Sequence, residues 1–123
     1  MIDPKQLRIG NFIVHKTGTI IEVTAHEIGT LDYNPHYRSD HTPIPLTPEI
    51  LEGCGFVRIG RYAIGAGGYN EYCNGKVKLL KVGKEDVYIL AFYEPKIQYL
   101  HQLQNLYFAL TGQELTVNLP VGV

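Results

Sequence analysis

The chain alternates short apolar runs with turn residues, and only two stretches carry helical spacing. Asp3-Pro4 opens the pattern as a capped single helical turn, because Asp accepts orphan amide protons and proline fits a first helical position. Leu7 and Ile9 then lead into the turn signal Gly10-Asn11. Phe12–Lys16 and Thr19–Ala25 are β-branched and apolar, and Thr17-Gly18 between them predicts a hairpin. A third strand is expected from Gly29 to Tyr33. Residues 34–46 hold three prolines and little periodicity and read as a long loop.

Thr47-Pro48-Glu49 predicts a short helix: threonine caps, proline takes the first position, and the carboxylate suits the positive N-terminal end. Ile50, Leu51 and Cys54 form its apolar face, and Gly53 or Gly55 stops it. From Phe56 the strand pattern returns as Phe56–Ile64, Tyr69–Cys73, Lys76–Val82 and Asp86–Tyr93, a four-stranded antiparallel meander. Asn74-Gly75 is its strongest hairpin signal. The alternation slips at Gly60-Arg61 and at Leu79-Leu80, where β-bulges would restore the inward register. The clearest helix runs from Tyr99 to Thr111 and ends at Gly112, with Leu100, Leu103, Leu106, Tyr107 and Leu110 on one arc. A last strand is expected over Glu114–Leu119.

These elements predict an α+β fold of mostly antiparallel β-structure in a single domain, residues 1–123. A β-rich half of barrel-like hairpins spans about 1–46; the short helix, meander and C-terminal helix occupy about 47–123. A length of 123 residues fits one domain with its own core. An apolar share of 45% and a charged share of 19% belong to a globular chain rather than a disordered one.

A formal net charge of −1 provides no long-range pull toward nucleic acid or an anionic membrane. The two cysteines, Cys54 and Cys73, form no Cys-x-x-Cys and read as free thiols. The opening residues lack the basic and apolar segments of a signal peptide, and Val87–Tyr93 is far too short to span a bilayer. A cytoplasmic protein is expected.

Several clusters invite chemistry. Asp32, His36, Asp40 and His41 are potential metal ligands, but their spacing matches no strong template, and no metal or cofactor is expected. Gly65, Gly67 and Gly68 lack the third glycine and following helix of a dinucleotide loop. Arg58, Arg61, Lys76, Lys78, Lys81 and Lys84, with Tyr69 and Tyr72, could line one meander face and bind single-stranded nucleic acid. Alternating lysines also keep an ordinary sheet face soluble. His101 and Asn105 lie one helical turn apart without a nucleophile placed beside them.

The feature that stands out is an absence of charge. Seventeen residues between Lys96 and Glu114 contain no Asp, Glu, Lys or Arg. A surface helix normally carries several charges on its solvated face. Here the face opposite the leucines presents His101, Gln102 and Asn105, with Ala109 and Phe108 nearby. Such a helix is either buried on both sides within its own fold or docks a partner, a second copy of the chain being one candidate. His101, Gln102 and Asn105 are the candidate partner-binding surface.

Three stretches together carry a resemblance: Leu7-Arg-Ile-Gly-Asn11, Pro43-Ile-Pro-Leu-Thr-Pro-Glu-Ile-Leu51 running into Cys54-Gly-Phe56, and Tyr99-Leu-His-Gln-Leu-Gln-Asn-Leu-Tyr-Phe-Ala-Leu-Thr-Gly-Gln-Glu-Leu115. In this order they resemble a family of small uncharacterised proteins of gut anaerobes, their prophages and phages. The resemblance spans nearly the whole chain and is most specific at its C-terminal stretch. It implies an intracellular accessory protein of a mobile element and supplies no activity. The opening hairpin also looks like the start of small SH3-like barrels, which bind peptides or nucleic acid. The expected function is therefore a non-enzymatic interaction protein. A nucleic-acid-associated accessory protein and a small enzyme of unrecognised type are the alternatives.

Overall fold

The computed structural model describes residues 2–62, 69–75, 77–82, 87–90 and 96–119. After a single 3-10 turn at Pro4–Gln6, capped by the Asp3 carboxylate, come strands β1 (Phe12–His15) and β2 (Ile20–Glu22). Helices α1 (Ala25–Tyr33) and α2 (Pro35–Ser39) follow, then β3 (His41–Pro43) and α3 (Pro48–Gly53). Strands β4 (Val57–Tyr62), β5 (Tyr69–Asn74), β6 (Val77–Val82), β7 (Tyr88–Leu90) and β8 (Lys96–Ile97) precede α4 (Leu100–Thr111). The strands form two antiparallel sheets, ordered β2-β1-β3 and β4-β5-β6-β7-β8. The fold is α+β and mostly β. The N-terminal sheet stays open, so no closed barrel forms among the described residues.

The central strand β1 explains its own composition. Ile13 points into a small core with Ile2, Val23 and Leu31, against which Ile28 packs. Its neighbours Phe12 and Val14 point the other way and pack on the large core with Leu46, Phe56, Leu79 and Leu100. A strand covered on both faces needs a continuous apolar run rather than alternation, and Phe-Ile-Val is that run.

The segment after β3 ties the two sheets together. Leu46 N donates to Gln98 O at 2.9 Å, and Leu100 N donates to Ile44 O at 2.8 Å, around an antiparallel bridge between Pro45 and Tyr99. Ile44 and Leu46 are both buried in the large core.

Several expectations need correction. Residues 29–33 belong to a helix, not a strand. Thr24 accepts from Glu27 N as its N-cap, and Ile28 and Leu31, three residues apart, reach the small core from one side. The supposed loop at 34–46 contains α2 and β3. Asn34 ends α1 and begins α2, its side chain accepting from His36 N and Tyr37 N ahead of Pro35. The C-terminal sheet has five strands, not four.

The irregularity in β4 lies between Arg58 and Gly60, one residue from the expected slip. No bulge occurs at Leu79-Leu80: the β5–β6 register is continuous, with Leu79 inward and Leu80 across from Glu71 on the outer face. Asn74 pairs with Val77, and Gly75, just after Asn74, turns at φ 60. Residues 114–119 form no regular element and join no sheet. Leu115 is buried, and Asn118 N donates to Gly53 O at 2.9 Å, so close that a Cβ on Gly53 would meet the Asn118 carbonyl.

Candidate functional site

Helix α4 starts where the chain leaves its bridge with Pro45. The Gln102 side-chain oxygen accepts from Tyr99 N at 3.1 Å and from Gln98 N at 2.9 Å, which satisfies donors at the helix N-terminus. Gly112, at φ 72, closes the helix in the left-handed conformation, its N–H donating to Phe108 O.

The first two turns of α4 pack against the chain on two sides. Leu100 and Leu103 enter the large core. On the other side the amides turn toward the N-terminal segment. Gln104, 2% exposed, accepts from Phe12 N at 2.9 Å and donates to Gly10 O at 3.0 Å. Asn105 donates to Gln6 O at 2.9 Å and accepts from Asn11 Nδ2 at 2.9 Å. A buried unpaired charge would cost several kcal/mol, whereas a satisfied amide contributes about 0.5–1.5 kcal/mol per hydrogen bond. That difference accounts for amides, not ions, on this face.

Of the three sequence-predicted surface residues, His101 is buried at 4% exposure, while Gln102 and Asn105 are half-buried and hydrogen-bonded within the chain. The His101 ring stacks on Tyr99 at 6.0 Å between centroids, and its Nδ1 has no hydrogen-bond partner. Desolvation pushes this imidazole below its ordinary pKa. Asn105 is committed elsewhere, so it does not orient His101. Gln104, which sequence reasoning passed over, is the most heavily used of the group. Its partners lie more than ninety residues earlier, and nothing in the local pattern points to them.

The last turn of α4 is different. Phe108 is 40% exposed and Leu110 is 52% exposed. Leu110 continues the leucine arc beyond the buried part of the helix. Phe108 lies under the guanidinium of Arg8, 4.4 Å from the ring centroid. Arg8 also makes a bidentate pair with Glu114, at 2.7 and 3.1 Å, which raises the pKa of the guanidinium and lowers that of the carboxyl. Ile9, next to Arg8, is 61% exposed and lines a hollow of about 300 Å³ with Phe12, Gln104 and Glu114. Gln102, Asn105 and Leu106 line a mostly apolar groove of about 450 Å³ with Gln6, Lys96 and Ile97. A polar cleft of about 560 Å³ is lined by Tyr107, Asn74, Gly53 and residues of the 113–118 segment.

The remaining clusters do not converge. Asp32 and His36 are exposed on different helices, Asp40 pairs with Lys16 at 3.1 Å, and His41 is buried, its Nδ1–H donating to Tyr37 O. Among the described residues no three potential ligands gather as a metal site. His41 instead packs against His15 at 5.0 Å and Tyr37 at 4.5 Å. The Tyr37 hydroxyl donates to Glu27, which pushes its pKa up to about 12.

On the meander, register puts Arg58 and Lys81 on the face of Tyr72 and Leu79, and Lys78 on the opposite one. The side chains of Arg61 and Tyr69, Lys76, Lys84 and the Gly65–Gly68 loop lie outside the described residues. Cys54 and Cys73 are free thiols. No described helix is long and apolar enough to cross a membrane. Compared with known proteins, the chain matches no family model, no curated protein and no solved structure.

Proposed function

We propose that this protein is a non-enzymatic interaction module that docks a partner on the C-terminal end of α4 and the adjoining 8–10 turn. The supporting observation is the split along α4. Its uncharged first turns are buried by the chain itself, while its equally uncharged last turn leaves Phe108 and Leu110 open, with Ile9 beside Phe108's cationic neighbour. Single exposed apolar residues are ordinary on any surface. A helix end lacking charges while presenting an aromatic and a leucine has the composition of an interface core, because such a surface is desolvated at little cost. Two free thiols suit a reducing cytoplasm. An intracellular accessory role, as in the phage and prophage family the sequence resembles, fits that reading.

The test is site-specific photo-crosslinking in cells that make the protein. A photoreactive residue at Leu110 is expected to yield a discrete adduct absent when the same residue replaces exposed His36. Identical adduct patterns at both positions would reject the docking surface.

A further inference from the structure

We propose that strand β4 is a separate interaction surface, an open sheet edge that takes up an extended acidic peptide segment as an added strand. The inference does not rest on the docking surface of α4, and either can fail without the other. β4 ends its sheet: it pairs with β5 on one side, and among the described residues no strand pairs with it on the other. Such an edge holds a row of backbone N–H and C=O groups that another strand can satisfy. Val57 and Ile59, at 62% and 52% exposure, offer that strand apolar side chains. Edges that are kept from pairing commonly carry lysine or proline, and Val57–Tyr62 has neither.

Charge selects which strand fits. β4 contains Arg58 and Arg61 and no acid. The register shift between Arg58 and Gly60 sets Arg58 across from Tyr72 and Arg61 across from Asn70, alternate positions of β5 and therefore one face of the sheet. Without the extra residue, positions 58 and 61 would fall on opposite faces. Arg58 is exposed and has no ion-pair partner among the described residues. Glu71, the acid on β5, lies across from Gly60 on the other face. A second copy pairing through β4 would bring two arginines against two, whereas carboxylates at alternate positions of a foreign strand meet both. A nucleic-acid strand would supply negative charge, but it has no alternating amide donors and carbonyl acceptors to complete the edge.

Fluorescence anisotropy with a labelled peptide of alternating glutamate and valine tests the proposal. The peptide is expected to bind, and a peptide with lysine in place of glutamate is expected to bind about tenfold more weakly or worse. N-methylation of the glutamate amides, or of the valine amides, removes the donors of one peptide edge and leaves the charge unchanged. One of the two modifications is expected to weaken binding about tenfold or more.

Arg58→Glu is expected to shift the preference between the glutamate and lysine peptides toward lysine by about tenfold or more. A change in preference separates lost complementarity from lost folding, and circular dichroism confirms that the variant is folded. A glutamate peptide that does not bind overturns the inference. So does binding indifferent to both N-methylations, or a preference unmoved by Arg58→Glu. A thymidine oligonucleotide that binds where the peptide does not would overturn it in favour of a phosphate ligand. Peptide binding without a discrete Leu110 crosslink would sink the α4 docking surface alone, and the reverse result would sink this edge alone.

Discussion

Replacing Gln104 by Met keeps most of the side-chain volume and removes every hydrogen bond that the amide makes. Phe12 N–H and Gly10 C=O then lose their partner beside a buried helix face. The Asn11 amide, at 3.5 Å from Gln104 Oε1, keeps its shorter bond to Asn105 and contributes little to the difference. An orphaned buried polar group costs about 1–3 kcal/mol, and Met returns a fraction of that by burying apolar surface. The net loss is expected to be about 2–4 kcal/mol, a large share of the 5–15 kcal/mol by which domains of this kind are usually stable.

At about 3–6 °C per kcal/mol for a chain of this length, Tm falls by about 6–24 °C. Urea unfolding followed by circular dichroism measures the same quantity, and the m value should not change, since the surface exposed on unfolding does not. Gln98→Met, on an exposed side chain, is the control and should move stability by less than about 0.5 kcal/mol. If Gln104→Met behaves like that control, the amide face does not hold the two halves together and the account of α4 fails.

Three further outcomes follow from the geometry. His101 has a folded pKa below its unfolded value of 6.5, so the unfolded chain takes up more protons on acidification. Its contribution is complete above pH 6.5 and is lost as pH falls from there through the folded pKa. Urea midpoints at pH 7 and pH 5 should therefore separate more for the parent chain than for His101→Asn, and equal separations would contradict the burial argument. Gly53→Ala drives a methyl into the Asn118 carbonyl and should cost about 1–3 kcal/mol. The expected signature is faster hydrogen exchange at the Asn118 amide, and an unchanged rate would speak against the close approach. Burial pushes the Cys54 thiol up to about 12, whereas Cys73 is half-buried with its thiol donating to Gly75 O. A thiol reagent at pH 8 should label one cysteine quickly and the other only in denaturant; two fast thiols would refute the assignment.

Much of the scaffold is legible in the chain because its signals are local. Asp3-Pro4, Thr47-Pro48-Glu49 and Gly112 mark helix ends through capping chemistry that acts within four residues, and the structure places ends there. The capping pattern Thr24-Ala-His-Glu27 was equally local. It is hidden by the β-branched residues around it, so α1 reads as strand until tertiary packing of Ile28 and Leu31 is known. The absence of charge in α4 coincides with burial only over its first two turns; the equally uncharged last turn, residues 108–111, is exposed. Which residues bury those first turns is not local information. Gln104 meets Phe12 and Asn105 meets Gln6, and no periodicity within α4 separates these amides from Gln102, which serves only its own helix terminus.

The distance along the chain between those partners has a consequence for biogenesis. Gln104 and Phe12 are 92 positions apart, and Arg8 and Glu114 are 106 apart. On a translating ribosome the first hairpin emerges long before the amides that clasp it have been polymerised. Until then its Phe12 and Val14 side, which later rests on the large core, has no cover. Maturation of this molecule is therefore a late event in synthesis, and slowing elongation should prolong the interval in which the nascent hairpin recruits chaperones.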